Sequence, residues 1–480
     1  MGPILYFRGC RDRRWHLSAL VAAEEAAAPP LRTEGEGVAP QRLPPLAGHN
    51  GFWRYDFSLP QDEAESDAAY ELAGQRWRVR VPAIGGALRL AYTSCNGVEE
   101  ITFKDPRVRN ERWCNLAAEH ERRPFHLLIQ GGDQLYADSI WTVIPSLAEW
   151  RRLSWRRRLR APFTPAMAKG LADYYDTRYR WLWSQRELRP LLATIPSLMM
   201  WDDHDIFDNW GSYEAELQAC PVFQGIWSIA REHFAIFQLG ARADDLPPGF
   251  GDRGGARFDW AFRIGPTGIV APDLRSERTR RQVMGEAGWR FLNAALEEMG
   301  ECRHLLFVST VPVVHAYLSP VEHILRALPG RQNLLGDLRD QWRSFRHREE
   351  WLRLLRLLFD FSTRTRAQVT VLSGEIHLGA LGRIDHGAVA IHQLTASGVV
   401  NVPPPALATV ALDLISRRPS AVAPGVTLRM LPFPGLGRRR YLRARNWLSL
   451  EVAADGGLDA AWHAEGQPEP FRYAIPALDR

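Results

Sequence analysis

Polar and apolar positions set out the elements in order. Near residue 80 they alternate with a period of two. Trp77, Val79 and Val81 alternate with Arg76, Arg78 and Arg80, the mark of a strand with one buried face. Ile4 to Phe7, Trp15 to Val21 and Phe52 to Leu59 are further apolar and aromatic runs that read as strands. The Pro- and Gly-rich stretch from Ala28 to Gly51 reads as loop. Residues 1–85 are therefore expected to form a small β-sandwich-like domain, with Pro82 to Gly86 as the linker.

From Ala87 the texture changes. Apolar strand-like runs alternate with longer helical patterns, which predicts an α/β layered fold. Helices are expected over Ala166 to Leu188, Gly285 to Met299 and Arg346 to Phe361, with Pro190 stopping the first. Arg440 to Ile475 is strand-like again. Trp447 to Val452 and Leu458 to His463 flank Ala454-Asp455-Gly456-Gly457, a hairpin signal. No internal repeat stands out. The division expected is 1–85, an α/β region at 86–405 and a β-rich extension at 406–480 packing on it.

Composition narrows the class. Hydrophobic residues make up 46% of the 480 and charged residues 24%, ordinary for a soluble globular chain. The best apolar stretches, Leu305 to Leu318 and Ala406 to Leu412, fall short of the roughly 18 residues a membrane span needs. Net charge is +5, but Lys occurs only at 104 and 169 and the acids are interspersed among the arginines. The cluster Arg152, Arg156, Arg157, Arg158 and Arg160 therefore reads as a solvated helix face, and specific nucleic-acid binding is not expected. The five cysteines are widely spaced and odd in number, which argues against a disulfide framework. Arg8, Arg11, Asp12, Arg13 and Arg14 interrupt the N-terminal apolar residues, so no signal peptide is expected and the chain reads as cytoplasmic.

Four apolar runs end in ligand-type residues. Ala87 to Tyr92 leads into Thr93-Ser94-Cys95-Asn96. His126 to Gln130 leads into Gly131-Gly132-Asp133-Gln134-Leu135-Tyr136. Ser197 to Trp201 leads into Asp202-Asp203-His204-Asp205, and Val369 to Leu372 into Ser373-Gly374-Glu375-Ile376-His377. In open α/β sheets the C-terminal strand ends carry the ligand site. If the four strands are neighbours, one pocket gathers Cys95, Asp133, Tyr136, Asp202, Asp203, His204, Asp205, Glu375 and His377. Several carboxylates share a pocket only when cations neutralise them. Carboxylate, imidazole, thiolate and phenolate together suit two metal ions able to clamp a phosphate. Taken singly, Gly-Asp after a strand is often only a turn and Cys95 a small buried hydrophobe. It is the ordered set that argues for a site.

That set, with Asn209-Trp210, resembles the PhoD-like (alkaline phosphatase D) metallophosphatases of the calcineurin-like metallophosphoesterase superfamily. The resemblance covers roughly residues 86–405. Asp273-Leu274-Arg275 before Gly288-Trp289, Ser309-Thr310-Val311-Pro312 and Asp340-Gln341-Trp342 agree with it. It implies a four-layer sandwich of two mixed β-sheets flanked by helices, preceded by an N-terminal β domain. It implies Cys95, Asp133 and Tyr136 as ligands of an iron-type metal, with Asp202 and Asp203 as further ligands and Asp203 bridging or on a second ion. It also implies Glu375 and His377 as ligands, His204 as the proton donor to the leaving group, and Arg275 as a partner of substrate phosphate. Iron plus calcium is the implied metal content, with manganese or zinc as alternatives. The implied reaction is hydrolysis of phosphate mono- or diesters by a metal-bound hydroxide. Two positions depart from the pattern: Asp205 stands where Glu is common, and Glu375 where Asp is common.

The alternative reading is a catalytically silent metal- or phosphate-binding protein on the same fold, but no acidic or His position has been lost. Asp138 reads as a helix N-cap before Ser139 to Val143, with an acid behind the site as the alternative. His315 reads as a core or loop His rather than a ligand. Trp227, Phe234 and Phe237 read as helix packing rather than pocket rim, and Trp342 as a wall of the site mouth.

Overall fold

The computed structural model describes residues 1–22, 27–46, 51–97, 103, 105–316 and 341–478. Asp340 lies outside them. The described part of residues 1–81 forms β1 (Ile4–Arg11), β2 (Arg14–Ala22), β3 (Leu31–Thr33), β4 (Glu36–Val38), β5 (Pro40–Leu43), β6 (Phe52–Pro60), β7 (Ser66–Leu72) and β8 (Gln75–Val81). Then come β9 (Leu88–Thr93), β10 (Leu127–Gly131), β11 (Ser197–Met200), β12 (Trp260–Ile264), β13 (Thr267–Ala271) and β14 (His304–Val308). These are followed by β15 (Gln368–Ser373), β16 (Gly379–His386), β17 (Val389–Thr395), β18 (Ser420–Ala423) and β19 (Val426–Met430). β20 (Tyr441–Leu442), β21 (Asn446–Val452), β22 (Leu458–Ala464) and β23 (Phe471–Ile475) close the series.

Two large mixed sheets result. One runs β23-β22-β21-β9-β10-β11-β1-β2-β6-β5, with β9, β10, β11 and β1 parallel. The other runs β12-β13-β14-β15-β17-β16-β19-β18, with β13, β14, β15 and β17 parallel and β20 on β16. Strand alternation builds the layers. Leu306 and Val308 of β14 and Leu372 of β15 pack in one core with Leu90, Ile129, Leu198 and Met200 of the first sheet. Leu305, Phe307, Val369 and Val371 point the other way, onto Trp289 and Leu292 of the helix Glu286–Glu298 and Leu354 and Leu358 of the helix Arg348–Thr365. Trp113 and Leu116 of the helix Glu111–Arg122 join the first core, so helices flank both sheets. This is the four-layer arrangement that the family resemblance implies.

The N-terminal segment differs from a separate unit. β1, β2, β6 and β5 extend the first large sheet through β1 against β11, with Tyr6 opposite Ser197. Only β4-β3-β7-β8 form a sheet of their own, and the Tyr70 hydroxyl ties it to the Ala193 carbonyl at 2.8 Å. The stretch read as loop holds β3, β4 and β5, strands of three or four residues and too short to show a period. Pro190 lies in the first turn of the helix Arg189–Thr194, where its missing N–H costs nothing, so it starts a helix rather than ending one. The preceding helix, Pro165–Trp183, ends earlier than expected. The C-terminal hairpin forms as read, β21 against β22, and β21 pairs with β9. Among the described residues no helix is long and apolar enough to cross a membrane.

Candidate metal centre

Cys95, Asp133 and the Asp202–Asp205 run follow β9, β10 and β11, which are adjacent and parallel. The fourth motif follows β15, in the opposite sheet, so the site forms where the two sheets meet rather than along one edge. Backbone bonds stitch the loops together. Cys95 N donates to Gly132 O at 3.1 Å, Asn96 N to Asp133 O at 2.8 Å, and Ala137 N to His204 O at 2.9 Å. Five site residues other than glycine take left-handed backbone: Cys95 (φ 54°), Asp133 (57°), Asn209 (60°), Glu375 (67°) and His377 (51°). Such conformations persist only where the surroundings impose them, and they gather at functional sites.

Asp133 is the hub. Its Oδ2 accepts from the Tyr136 hydroxyl at 3.2 Å and lies 3.6 Å from Cys95 Sγ. The Tyr136 hydroxyl is 2.9 Å from His377 Nε2. Two ligand groups result, each with its donor atoms within 4.8 Å of one another: Cys95, Asp133 and His377, and Asp133, Asp203 and His204. Asp133 is common to both. Burial, then Cys95, Asp202 and Asp203, push its carboxyl well above the ordinary range, while His204 pulls it down. Burial, Asp133 and Cys95 push the Tyr136 phenol up in the same way. The buried acceptors Asp133 Oδ1 and Asn209 Oδ1 have no hydrogen-bond partner. Crowded acids and orphaned acceptors are a donor set that cations fit, so the residues present suit the metals the family resemblance implies.

His204 is held differently. Its Nδ1 lies 2.7 Å from Asp138 Oδ2, and its ring stacks on Tyr136 at 4.2 Å between centroids. Burial alone would lower its pKa, but Asp138, Asp203 and Asp133 outweigh burial and raise it well above the usual imidazole value. Against its own burial, the Asp138 carboxyl is lowered by His204 and by the Asp208 N–H, which donates to Oδ1 at 2.7 Å. Asp138 is thus not the N-cap expected: Ser139 occupies that position, and the Asp138 carboxylate turns to His204.

Three further residues sit differently from expectation. Arg275 was expected on substrate phosphate. It is fully buried, with its guanidinium on Asp202, on Asp203 at 3.2 Å and on Trp210 O at 3.3 Å. Asp202 joins neither ligand group: Arg275 and the Thr310 hydroxyl, at 3.0 Å, take its Oδ1. Glu375 is also outside both groups, with both carboxylate oxygens 3.2 Å from Gln341 Nε2. Left-handed φ at both Glu375 and His377 breaks the strand alternation that would turn residues two apart to one side. Asp205 lies fully buried beneath the site, accepting N–H bonds from Asp133, Leu135, Asp202 and Gln238 at 2.8–3.0 Å. Burial lifts its pKa to about 7 while the bonds from Asp202, Leu135 and Gln238 oppose the rise. His315 is buried, its ring 3.3 Å from Ala316 O, with its pKa lowered to about 4 by burial. Trp227 packs half-buried against the core, and Phe234 and Phe237 are buried in it. Buried Trp342 donates to Ser309 Oγ at 3.2 Å.

Sequence reading missed Ser397 and Asn401. Ser397 Oγ lies 3.1 Å from Cys95 Sγ and accepts from His377 N at 2.9 Å. Asn401 N donates to Cys95 O at 3.1 Å. The signal was available: Ala396-Ser397-Gly398 follows β17 as the other motifs follow their strands.

A family model described as PhoD related phosphatase matches residues 110–332, just under half of the chain. An uncharacterized protein of Saccharomyces cerevisiae is 23% identical over 449 residues, covering 75% of this chain; this chain spans 64% of the yeast protein. The structure of PhoD superposes with a TM-score of 0.60 at 12% identity, covering 98% of this chain and 88% of that one. The purple acid phosphatase PPD1 from yellow lupin (Lupinus luteus) seeds gives 0.55 at 10% identity, covering 98% and 73%. The matched segment is similar to the PhoD related phosphatases, and the likeness to the two phosphatase structures is one of fold.

Proposed function

We propose that the chain is a metal-dependent phosphoesterase that hydrolyses phosphate mono- or diesters at the Asp133-centred site. The observation that carries this reading is Asp133, shared between a group with Cys95 and His377 and a group with Asp203, where His204 stands alongside. Cys95, Asp133, Tyr136 and His377 would hold one ion, with thiolate and phenolate favouring iron. Asp133 and Asp203 would hold the other, with oxygen ligands suiting calcium or manganese. Bound cations there would neutralise phosphoryl oxygens and acidify an attacking water. The chain's own contribution to proton transfer is His204. Asp138 holds the His204 Nδ1 at 2.7 Å, which leaves Nε2 for the site, where the ring would act as acid toward the leaving oxygen. Arg275 keeps Asp202 and Asp203 in place from beneath.

The test is elemental analysis of the purified protein together with phosphate release from nitrophenyl mono- and diesters, after chelation and reloading with calcium, manganese, iron or zinc. Retained metal and metal-restored release are expected. Asp133→Asn should lower both together, because one carboxylate serves both ions. Metal-free protein with no release under any reloading would overturn the reading.

A further inference from the structure

The helix Ala406–Ile415 is inverted. Its polar residues face inward: Thr409, Asp413 and Ser416 are buried. Asp413 Oδ1 accepts from Arg440 N at 2.7 Å, and Ser416 Oγ lies 2.8 Å from the Tyr441 hydroxyl. Most of its large apolar residues face solvent: Leu407 is 85% exposed, Val410 57%, Leu414 54% and Ile415 44%, with Leu412 alone packed partly against the core. Positions 407, 410 and 414 fall on one face of the helix. With Val402, just before the helix, five of the ten exposed large hydrophobic residues in the described structure lie in this one segment. A soluble surface helix turns its stripe the other way, and an exposed apolar patch of this kind marks an interaction site.

Charge identifies the occupant. From Asn401 to Arg443 the sequence holds seven arginines and a single acid, Asp413. This stretch carries more positive charge than the net +5 of the whole chain. Arg417, Arg418, Arg438, Arg439 and Arg443 are exposed. They flank the helix, since Arg443 Nε donates to Pro404 O at 2.7 Å at its start and Arg440 Nη2 to Arg417 O at 3.3 Å past its end. An apolar face rimmed by arginine is the pattern of a helix lying in a lipid interface, apolar side among acyl chains and cations among headgroup phosphates. We propose that the helix Ala406–Ile415 docks the protein peripherally on an anionic lipid surface. Asn401 N bonds Cys95 O, so only residues 402–405 separate this helix from the candidate metal centre. Docking would hold that centre beside the headgroups.

The proposal is independent of catalysis and is tested by flotation of the full chain with vesicles of phosphatidylcholine, alone or with roughly 30 mol% phosphatidylserine. Binding is expected on the anionic vesicles, roughly tenfold weaker on the neutral ones, and reduced by about 0.5 M salt. Leu407→Gln with Leu414→Gln should cut binding roughly tenfold or more at unchanged circular dichroism and Tm. Equal flotation of parent and double variant, or none by the parent, would overturn the proposal. So would a concentration-dependent dimer that ignores vesicles and that the double variant dissolves, since a second copy would then be the occupant.

Discussion

His204 and Asp138 form a pair whose two pKa values move apart, the imidazole up and the carboxyl down. Both shifts run in the direction of an ion pair. His204→Ala should slow turnover by roughly 10²–10⁴-fold, the usual worth of a positioned acid. Metal content should stay unchanged. The loss should shrink for nitrophenyl esters, whose leaving group needs no proton, and grow for alkyl esters. Asp138→Asn should fall between parent and His204→Ala with the same leaving-group trend. Equal losses across leaving groups of different basicity would remove His204 from proton transfer.

At the scale of elements, the site depends on how closely loops approach one another. A Cβ on Gly374 would lie 2.2 Å from Ser94 Oγ, at the contact between the β15 and β9 loops. Gly374→Ala should therefore force the two sheets' loops apart. A cost of about 2 kcal/mol in stability is expected, with a larger loss in metal retention, as overpacking displaces His377 from Cys95 and Asp133. Thermal unfolding and metal analysis of the variant check both. This closeness also explains what the sequence disclosed. Cys95, Asp133, Asp203, His204 and His377 were legible because each follows an apolar run that forms a strand, a local signal. The roles of Asp138, Arg275 and Glu375 were not. Each depends on which side chain from another loop arrives opposite: His204 for Asp138, Asp202 and Asp203 for Arg275, Gln341 for Glu375. The α/β layering was legible from strand and helix alternation, and the four layers only through the family resemblance. The fusion of β1, β2, β6 and β5 to the catalytic sheet was not, because it rests on the pairing of β1 with β11, far apart in sequence.

For the whole molecule, buried neutral histidines set the response to acid. His304 is fully buried between Gly456 O and Thr370 Oγ1, and burial lowers its pKa from 6.5 to about 4. His392 is lowered to about 4 and His463 to about 3, burial again leading, followed by nearby arginines. Between pH 6.5 and 4 the unfolded chain binds protons that the folded chain refuses, so stability falls as pH falls through that window. For His304 the loss amounts to roughly 3 kcal/mol below the window. The drop in Tm from pH 7.5 to pH 4.5 should be smaller in His304→Gln than in the parent. An identical drop would show that His304 is already protonated in the fold.

The pairing of β21 with β9 has a consequence in time. β9 leads into Cys95, and Leu448 of β21 closes its edge opposite Tyr92. During synthesis these partners emerge roughly half a minute apart at ribosomal rates of about 5–20 residues per second. Until then β9 offers an open edge, the kind that recruits foreign strands. The nascent chain therefore carries its metal-ligand loops on an unfinished sheet. Assembly of the centre is a late event, and what shields β9 in the interval decides how much of the protein reaches it.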